Sequence, residues 1–159
     1  RIICLDDDII HSRNLIETYE AESRKKPQSA LAIIGYDVPA NFIDKNRFDT
    51  KVYGTDIQNF VEVDVVTGYG SFMIKPSFFA QHFLTEQRPK EAYFTDDLCV
   101  SGHLAQQGIK KYIFPVNWGF SHLKRLSSWS DYSLSNSVNK EGVNNEVMMR
   151  YYKDYWNFK

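Results

Sequence analysis

The chain reads as an α/β protein, a mixed sheet flanked by helices, and three observations predict it. Ile2-Ile3-Cys4-Leu5 is a short apolar run that stops at Asp6-Asp7-Asp8, the pattern of a buried strand with charge at its end. A helix-spaced segment follows, and then the apolar run from Ala30 to Tyr36; strand, helix, strand in this order predicts a βαβ unit with a parallel pair. Further apolar runs at 61–66, 71–75 and 110–116 are separated by helical and turn signals. With 159 residues the whole chain, 1–159, suits one domain. It opens directly on a strand of the kind that sits mid-sheet, so earlier strands are expected to lie outside it.

Composition narrows the function classes. The formal net charge is −1, which gives no electrostatic case for nucleic acid. Ten Tyr and eleven Phe fit a solid core and a cleft that stacks on rings or sugars. The two cysteines, Cys4 and Cys99, fall in apolar or helical segments and read as buried free thiols. No run approaches the roughly 18 apolar residues of a membrane span, so a cytoplasmic or membrane-peripheral protein is expected.

The elements follow in order. Ser12 can cap a helix over 13–26, with Leu15, Ile16 and Tyr19 on its apolar face and Pro27 at its end. His11 reads either as an exposed residue near that cap or as a ligand contact. Residues 37–60 are polar and lack a sustained period, with short strands near Lys51-Val52-Tyr53 and Asn59-Phe60-Val61; a loop of this length is often functional. Val61 to Val66 alternates as a strand. Thr67-Gly68-Tyr69-Gly70-Ser71 then supplies a turn whose glycines allow unusual backbone and close approach of a ligand. Pro76 opens a short helix over 76–84. Thr95 or Asp96 caps a helix running to Gln107, and Gly108 closes it. A final helix, 143–157, sets Val147, Met148, Tyr151, Tyr152 and Tyr155 on one side.

Three carboxylates at the end of a strand repel one another unless a cation joins them. In open α/β sheets ligands bind beyond the carboxyl ends of the strands, and a divalent ion carrying a phosphate suits such a place. An acidic surface turn is the plain alternative. For Asp96 and Asp97 the plain alternative is a favourable interaction with the helix N-terminus.

Taken together, Ile2-Ile3-Cys4-Leu5-Asp6-Asp7-Asp8, Val66-Thr67-Gly68-Tyr69-Gly70-Ser71-Phe72-Met73-Ile74, Thr95-Asp96-Asp97-Leu98 and His122 resemble, in kind and order, the GT-A class of nucleotide-sugar glycosyltransferases, DxD-containing and family 2-like. The resemblance spans roughly residues 1–124, omits the first nucleotide-binding half of that class, and does not extend to residues 37–60. It implies a GT-A-like (Rossmann-like) fold missing its N-terminal strands, and a metal-dependent hexosyltransferase acting in glycan biosynthesis. The donor would be a UDP- or GDP-sugar and the acceptor a carbohydrate or glycoconjugate. Asp8, Asp6 and His122 would hold the metal. Asp6 and Asp7 would meet the donor, with Gly68, Tyr69 and Gly70 lining the substrate region. Asp97 or Asp96 would be the base of an inverting reaction. The histidine favours Mn²⁺ over Mg²⁺. Lys124 or Arg125 would steady the diphosphate, or stand as a solvated surface charge.

Rival readings carry different signatures. A response-regulator receiver needs a buried strand ending in Asp near residue 50 and a later strand ending in Lys; Phe48-Asp49-Thr50 and Pro115 fit neither. A two-metal phosphohydrolase or nuclease would use both acidic clusters. A non-catalytic carbohydrate- or nucleotide-binding module would keep the cleft without turnover.

Overall fold

The computed structural model describes residues 1–6, 9–118, 124–125 and 139–158, with backbone alone at 124–125 and 140. The strands are β1 (Ile2–Cys4), β2 (Ile9–Ile10), β3 (Ala30–Ala32), β4 (Ile34–Tyr36), β5 (Lys51–Tyr53), β6 (Val61–Glu62), β7 (Val65–Val66), β8 (Phe72–Ile74), β9 (Lys111–Ile113) and β10 (Lys124–Arg125). The helices are α1 (Leu15–Lys25), α2 (Asp96–Gln106) and α3 (Val143–Tyr151). The protein is mixed α/β, and among the described residues no helix is long and apolar enough to cross a membrane.

The five apolar runs singled out in the sequence do share one mixed sheet, in the order β1-β8-β3-β9-β6. Only the β3–β9 pair is parallel. The expected adjacency of β1 and β3 is corrected. They run in the same direction, but β8 lies between them, antiparallel to both. A second correction concerns length. Two runs bend and serve two sheets: 30–36 divides at Ile33, and 61–66 divides at Val63-Asp64. Their second halves, β4 and β7, join β5 in a three-stranded antiparallel sheet of order β5-β4-β7. The 30–36 run is therefore central in both sheets, which explains why it is apolar without alternation: it is buried on both faces throughout.

Period-two geometry assigns the covering helices. Ala30 and Ala32 face a core that includes Leu104 of α2, while Leu31 and Ile33 face Leu15 and Tyr19 of α1. α1 and α2 thus cover opposite faces of the larger sheet. In α1 the buried stripe is Leu15, Tyr19 and Ser23; Ile16 is 71% exposed and does not belong to it. Ser12 does not occupy the cap position, which falls to Asn14; its hydroxyl accepts the Asn14 N–H at 3.3 Å. Gly108 closes α2 as expected. Its φ is +69°, its N–H donates to the Ala105 carbonyl, and the Ile109 N–H reaches back to Leu104, a Schellman arrangement.

α3 packs on α2 and the second sheet through Met148, Met149, Tyr152 and Trp156. The final helix is shorter than expected, giving way after Tyr151 to a 3-10 turn over Lys153–Tyr155. The stripe is rotated as well, because Tyr151 and Tyr155 face solvent and Met149 and Trp156 are buried. The tail is strapped down by Asp64, a buried carboxylate in the bend between β6 and β7. It accepts N–H groups from Asn157 at 2.8 Å and Val38 at 3.0 Å. The 76–84 helix is a single 3-10 turn, Pro76–Phe78. Of the two thiols, Cys99 is buried but Cys4 is only half-buried; both are free.

The α2–α3 contact depends on the missing side chain of Gly102. A Cβ there would lie 2.1 Å from Cδ2 of the buried Tyr152 ring. In an exposed helix Gly→Ala gains up to about 1 kcal/mol. Gly102→Ala should instead lower stability by about 1–3 kcal/mol through overpacking, read as a drop in melting temperature; an unchanged or higher value would refute the contact.

Candidate functional site

Strand direction brings the site together. β1, β3 and β9 end at one edge of the large sheet, and β8 begins there, so Asp6 after β1 and the 67–71 turn before β8 are neighbours. The N-terminus of α2 reaches the same edge. The Gly68 N–H donates to Oδ1 of Asp97 at 2.8 Å. A Cβ on Gly68 would meet Oδ1 of Asp6 at 2.7 Å and Oδ1 of Asp97 at 3.4 Å. The two carboxylates that the sequence singles out thus stand side by side over one glycine.

They face a cavity of about 810 Å³. Asp6, Thr67, Asp96 and Asp97 form one side of it. Arg47, Phe48, Lys51 and Tyr53 contribute a second side, Tyr69 projects from the turn, and Asn139 and Asn145 close in from the C-terminal segment. Gly68 and Gly70 are buried behind this surface rather than lining it. The space that each frees by lacking a side chain is taken by protein. Gly68 admits two carboxylates, and Gly70 admits Ile34, whose Cγ1 would lie 2.6 Å from an added Cβ.

Nor is a glycine the unusual backbone residue of the turn. That is Ser71, at φ +93°, where a side chain costs about 1–3 kcal/mol. The fully buried Tyr19 of α1 holds it there, donating to the Ser71 carbonyl at 2.7 Å with the Ser71 hydroxyl 2.9 Å away. The turn that orients Asp97 is thus clamped from the opposite helix layer.

Asp96 and Asp97 separate clearly in this setting. Asp96 is exposed; Asp97 is part-buried and bonded to a residue outside its own helix. Thr95 is the N-cap of α2 as expected, and both acids fall in the helix's first turn. Thr95 makes no capping side-chain bond, and its hydroxyl donates to the Glu91 carbonyl at 3.1 Å. Burial, then the Asp96 charge and more weakly the Asp6 charge, push the Asp97 carboxyl up to about 8, against the Gly68 N–H and the Arg47 charge, which pull it down.

Asp7, Asp8 and His122 lie outside the described residues, as does the Lys124 side chain. The backbone of Lys124 and Arg125 pairs with Ile10 and Ile9, beside the acidic stretch in sequence. Among the described residues no group of three or more His, Cys, Asp or Glu forms a metal-holding cluster. His11 is half-buried rather than exposed, and burial lowers its pKa.

Sequence reasoning missed the Arg47–Tyr53 side. The guanidinium of Arg47 is held by the carboxylate of buried Asp44, which also accepts from Asn145 Nδ2 at 2.7 Å. The Asp44 N–H in turn donates to Glu146 at 3.1 Å. Gly142, at φ +74°, lets the start of α3 come this close, since a Cβ there would overlap the Asp44 carboxylate. The length of the 37–60 loop was the available signal. No protein-family model matches this chain, and no curated protein sequence is similar to it.

The Asp97 shift has a readable consequence. Between about pH 4 and pH 8 the folded chain keeps a proton that the unfolded chain has lost, so this group's contribution to stability is whole below that window and lost as pH rises through it. Asp97→Asn keeps an oxygen for the Gly68 N–H and removes the charge. In chelator it should melt several degrees above the wild type at about pH 8 and close to it at about pH 4. A difference that does not change with pH would show that the carboxyl titrates normally.

Proposed function

We propose that the chain is the catalytic portion of a GT-A-like, metal-dependent glycosyltransferase, moving a sugar from a UDP- or GDP-sugar to a hydroxyl of a carbohydrate or glycoconjugate with inversion at the anomeric carbon. The observation that carries this reading is the meeting of Asp6 and Asp97 over Gly68 on one cavity. It joins the strand-end acid of the donor motif to the helix-start acid of the base segment, as the sequence resemblance requires.

The acidic side of the cleft fits a divalent ion. Carboxylate oxygens are hard donors; burial is the main cause of the raised Asp97 pKa, and the Asp96 and Asp6 charges that add to it are negative potential that a cation would relieve. Asp6, with Asp8 and His122, would hold Mn²⁺ or Mg²⁺. When bound, such an ion supplies Lewis-acid neutralisation of the departing diphosphate. The rest falls to the chain's own residues. Asp97 accepts the acceptor hydroxyl's proton as that oxygen attacks, the general-base role that a positioned carboxylate can fill. The Gly68 N–H fixes one of its oxygens, which orients the other toward the acceptor. Tyr69, on the next residue, offers a ring for the sugar to pack against.

Single-turnover transfer with a panel of UDP- and GDP-sugars tests the assignment. Asp97→Asn should lose about 10²–10⁴-fold in rate, because Asn cannot take the proton, while donor affinity is preserved. Asp96→Asn should lose far less. Equal mild effects, or retention of anomeric configuration in the product, would refute the base. Donor binding without any wild-type turnover would make the chain a binding module instead.

Gly68→Ala tests the convergence itself. The added methyl meets the flexible end of Asp6 first, so the fold should survive, with a stability change of about 1 kcal/mol or less. Transfer should nevertheless fall by about 10-fold or more, since displacements of an ångström at a reacting centre are costly. Wild-type turnover in this variant would separate Asp6 from the reaction.

A further inference from the structure

A second cavity, of about 230 Å³, lies at the far end of α2 from Asp96 and Asp97. It shares no lining residue with the acidic cleft. The end of α2, the β6 strand and the tail residues Tyr155 and Asn157 bound it, and Lys111, the first residue of β9, lines it. Strand alternation explains the placement. Ile113, two residues on, joins the core on the α2 side with Leu104, while Tyr112 between them packs on the other side against Phe60. Lys111 therefore turns to the α2 side, where it is only 5% exposed.

A buried ammonium is costly unless hydrogen bonds and a counter-charge meet it. Lys111 has neither a hydrogen bond nor an ion pair among the described residues. The two carboxylates whose charge it feels are turned to other partners. Asp64 accepts the Asn157 and Val38 N–H groups. Glu62 accepts from Lys110 at 3.0 Å, Tyr112 at 3.2 Å and Asn157 Nδ2 at 3.3 Å. Burial accordingly lowers the Lys111 pKa to about 8, against the Asp64 and Glu62 charges, which raise it. Lys110 and Tyr155 are the other ionisable groups on the cavity wall. A desolvated lysine of this kind is a nucleophile toward carbonyl carbon.

We propose that Lys111 is an imine-forming site, where its amine condenses with a small uncharged aldehyde admitted to this cavity. Nζ adds to the carbonyl carbon, its proton passes to the carbonyl oxygen, and the carbinolamine loses water to leave a C=N bond. Amine and aldehyde become imine and water, with no oxidant or reductant. Charge selects the class of partner. Asp64 and Glu62 repel acyl phosphates and other anionic electrophiles, and a carbamate formed from CO₂ would set a third negative charge beside them. A neutral imine instead removes the unmet ammonium. The site does not depend on the glycosyltransferase reading.

Reductive trapping tests this on the intact chain. Propanal with cyanoborohydride, followed by peptide mass spectrometry, reads the rate at each lysine. At about pH 7 Lys111 should be propylated about 10-fold or more faster than the exposed Lys45, Lys90 and Lys153, because an ordinary lysine, at about 10.4, offers far less free amine there. The lead should vanish near pH ~10. Lys110→Gln should keep the adduct and Lys111→Gln should lose it, which separates the two adjacent amines. An aldehyde carried on dextran should label the exposed lysines and spare Lys111. No lead in the wild type overturns the proposal, as does equal labelling by the dextran aldehyde, which would put the amine in open solvent. An equal lead with acetyl phosphate overturns the preference for an uncharged carbonyl. If Lys111→Gln does not fold, the wild-type rates, measured against its own exposed lysines, still decide.

Discussion

The structure depends on one seven-residue segment, Ala30 to Tyr36, being buried on every side. It is the central strand of both sheets, with a bend at Ile33, and almost every landmark of the site is positioned against it. The Thr67 N–H bonds the Ile34 carbonyl at 3.2 Å, the Gly54 N–H bonds the Ile33 carbonyl at 2.8 Å, and Gly70 lies against Ile34. Gly35 completes the arrangement. A Cβ there would stand 2.4 Å from the Val65 carbonyl and 2.8 Å from Ile113, so the segment can be enclosed only where this residue has no side chain. Buried backbone of this kind must have its hydrogen bonds met by neighbouring strands, and meeting them on both flanks of both halves draws in β5, β7, β8 and β9.

On that frame the acidic site is held in an unfavourable state by rigid neighbours. Asp97 is pressed toward neutrality by burial and by Asp96, and Ser71 is kept in a left-handed conformation by Tyr19. Both costs fall in the turn 67–71 and its contacts. Strain of this kind persists where the surroundings over-determine it, and here a fully buried tyrosine from α1 supplies the determination.

Much of this was legible in the residues. The five strand runs, the polarity of α2, the Gly108 cap and the acidic positions all follow from local chemistry that a sequence displays directly. What was not legible is long-range. Nothing in Val63-Asp64 announces that a strand will bend there, where Asp64 meets partners as distant in sequence as Val38 and Asn157. Ile16 and Tyr151 fit an apolar stripe on paper but lie on the solvent side, since the partner surface, not the period, selects among adjacent apolar positions. Gly68 and Gly70 read as room for a ligand, and that room is occupied by Asp6, Asp97 and Ile34. The Arg47–Tyr53 side escaped because its residues have no motif; they are brought together by a 3-10 helix, an edge strand and a tail that returns to Asp44.

The division of the cleft between separate stretches of chain bears on how such a protein can diversify. The acids sit just after β1 and in the first turn of α2, and meet over Gly68 of the 67–71 turn. The opposing side sits on β5, an edge strand, and on the loop that feeds it. Edge positions tolerate replacement that central ones do not. Descendants of this chain can therefore drift in residues 48–53 while inheriting the acid pair and its clamp unaltered.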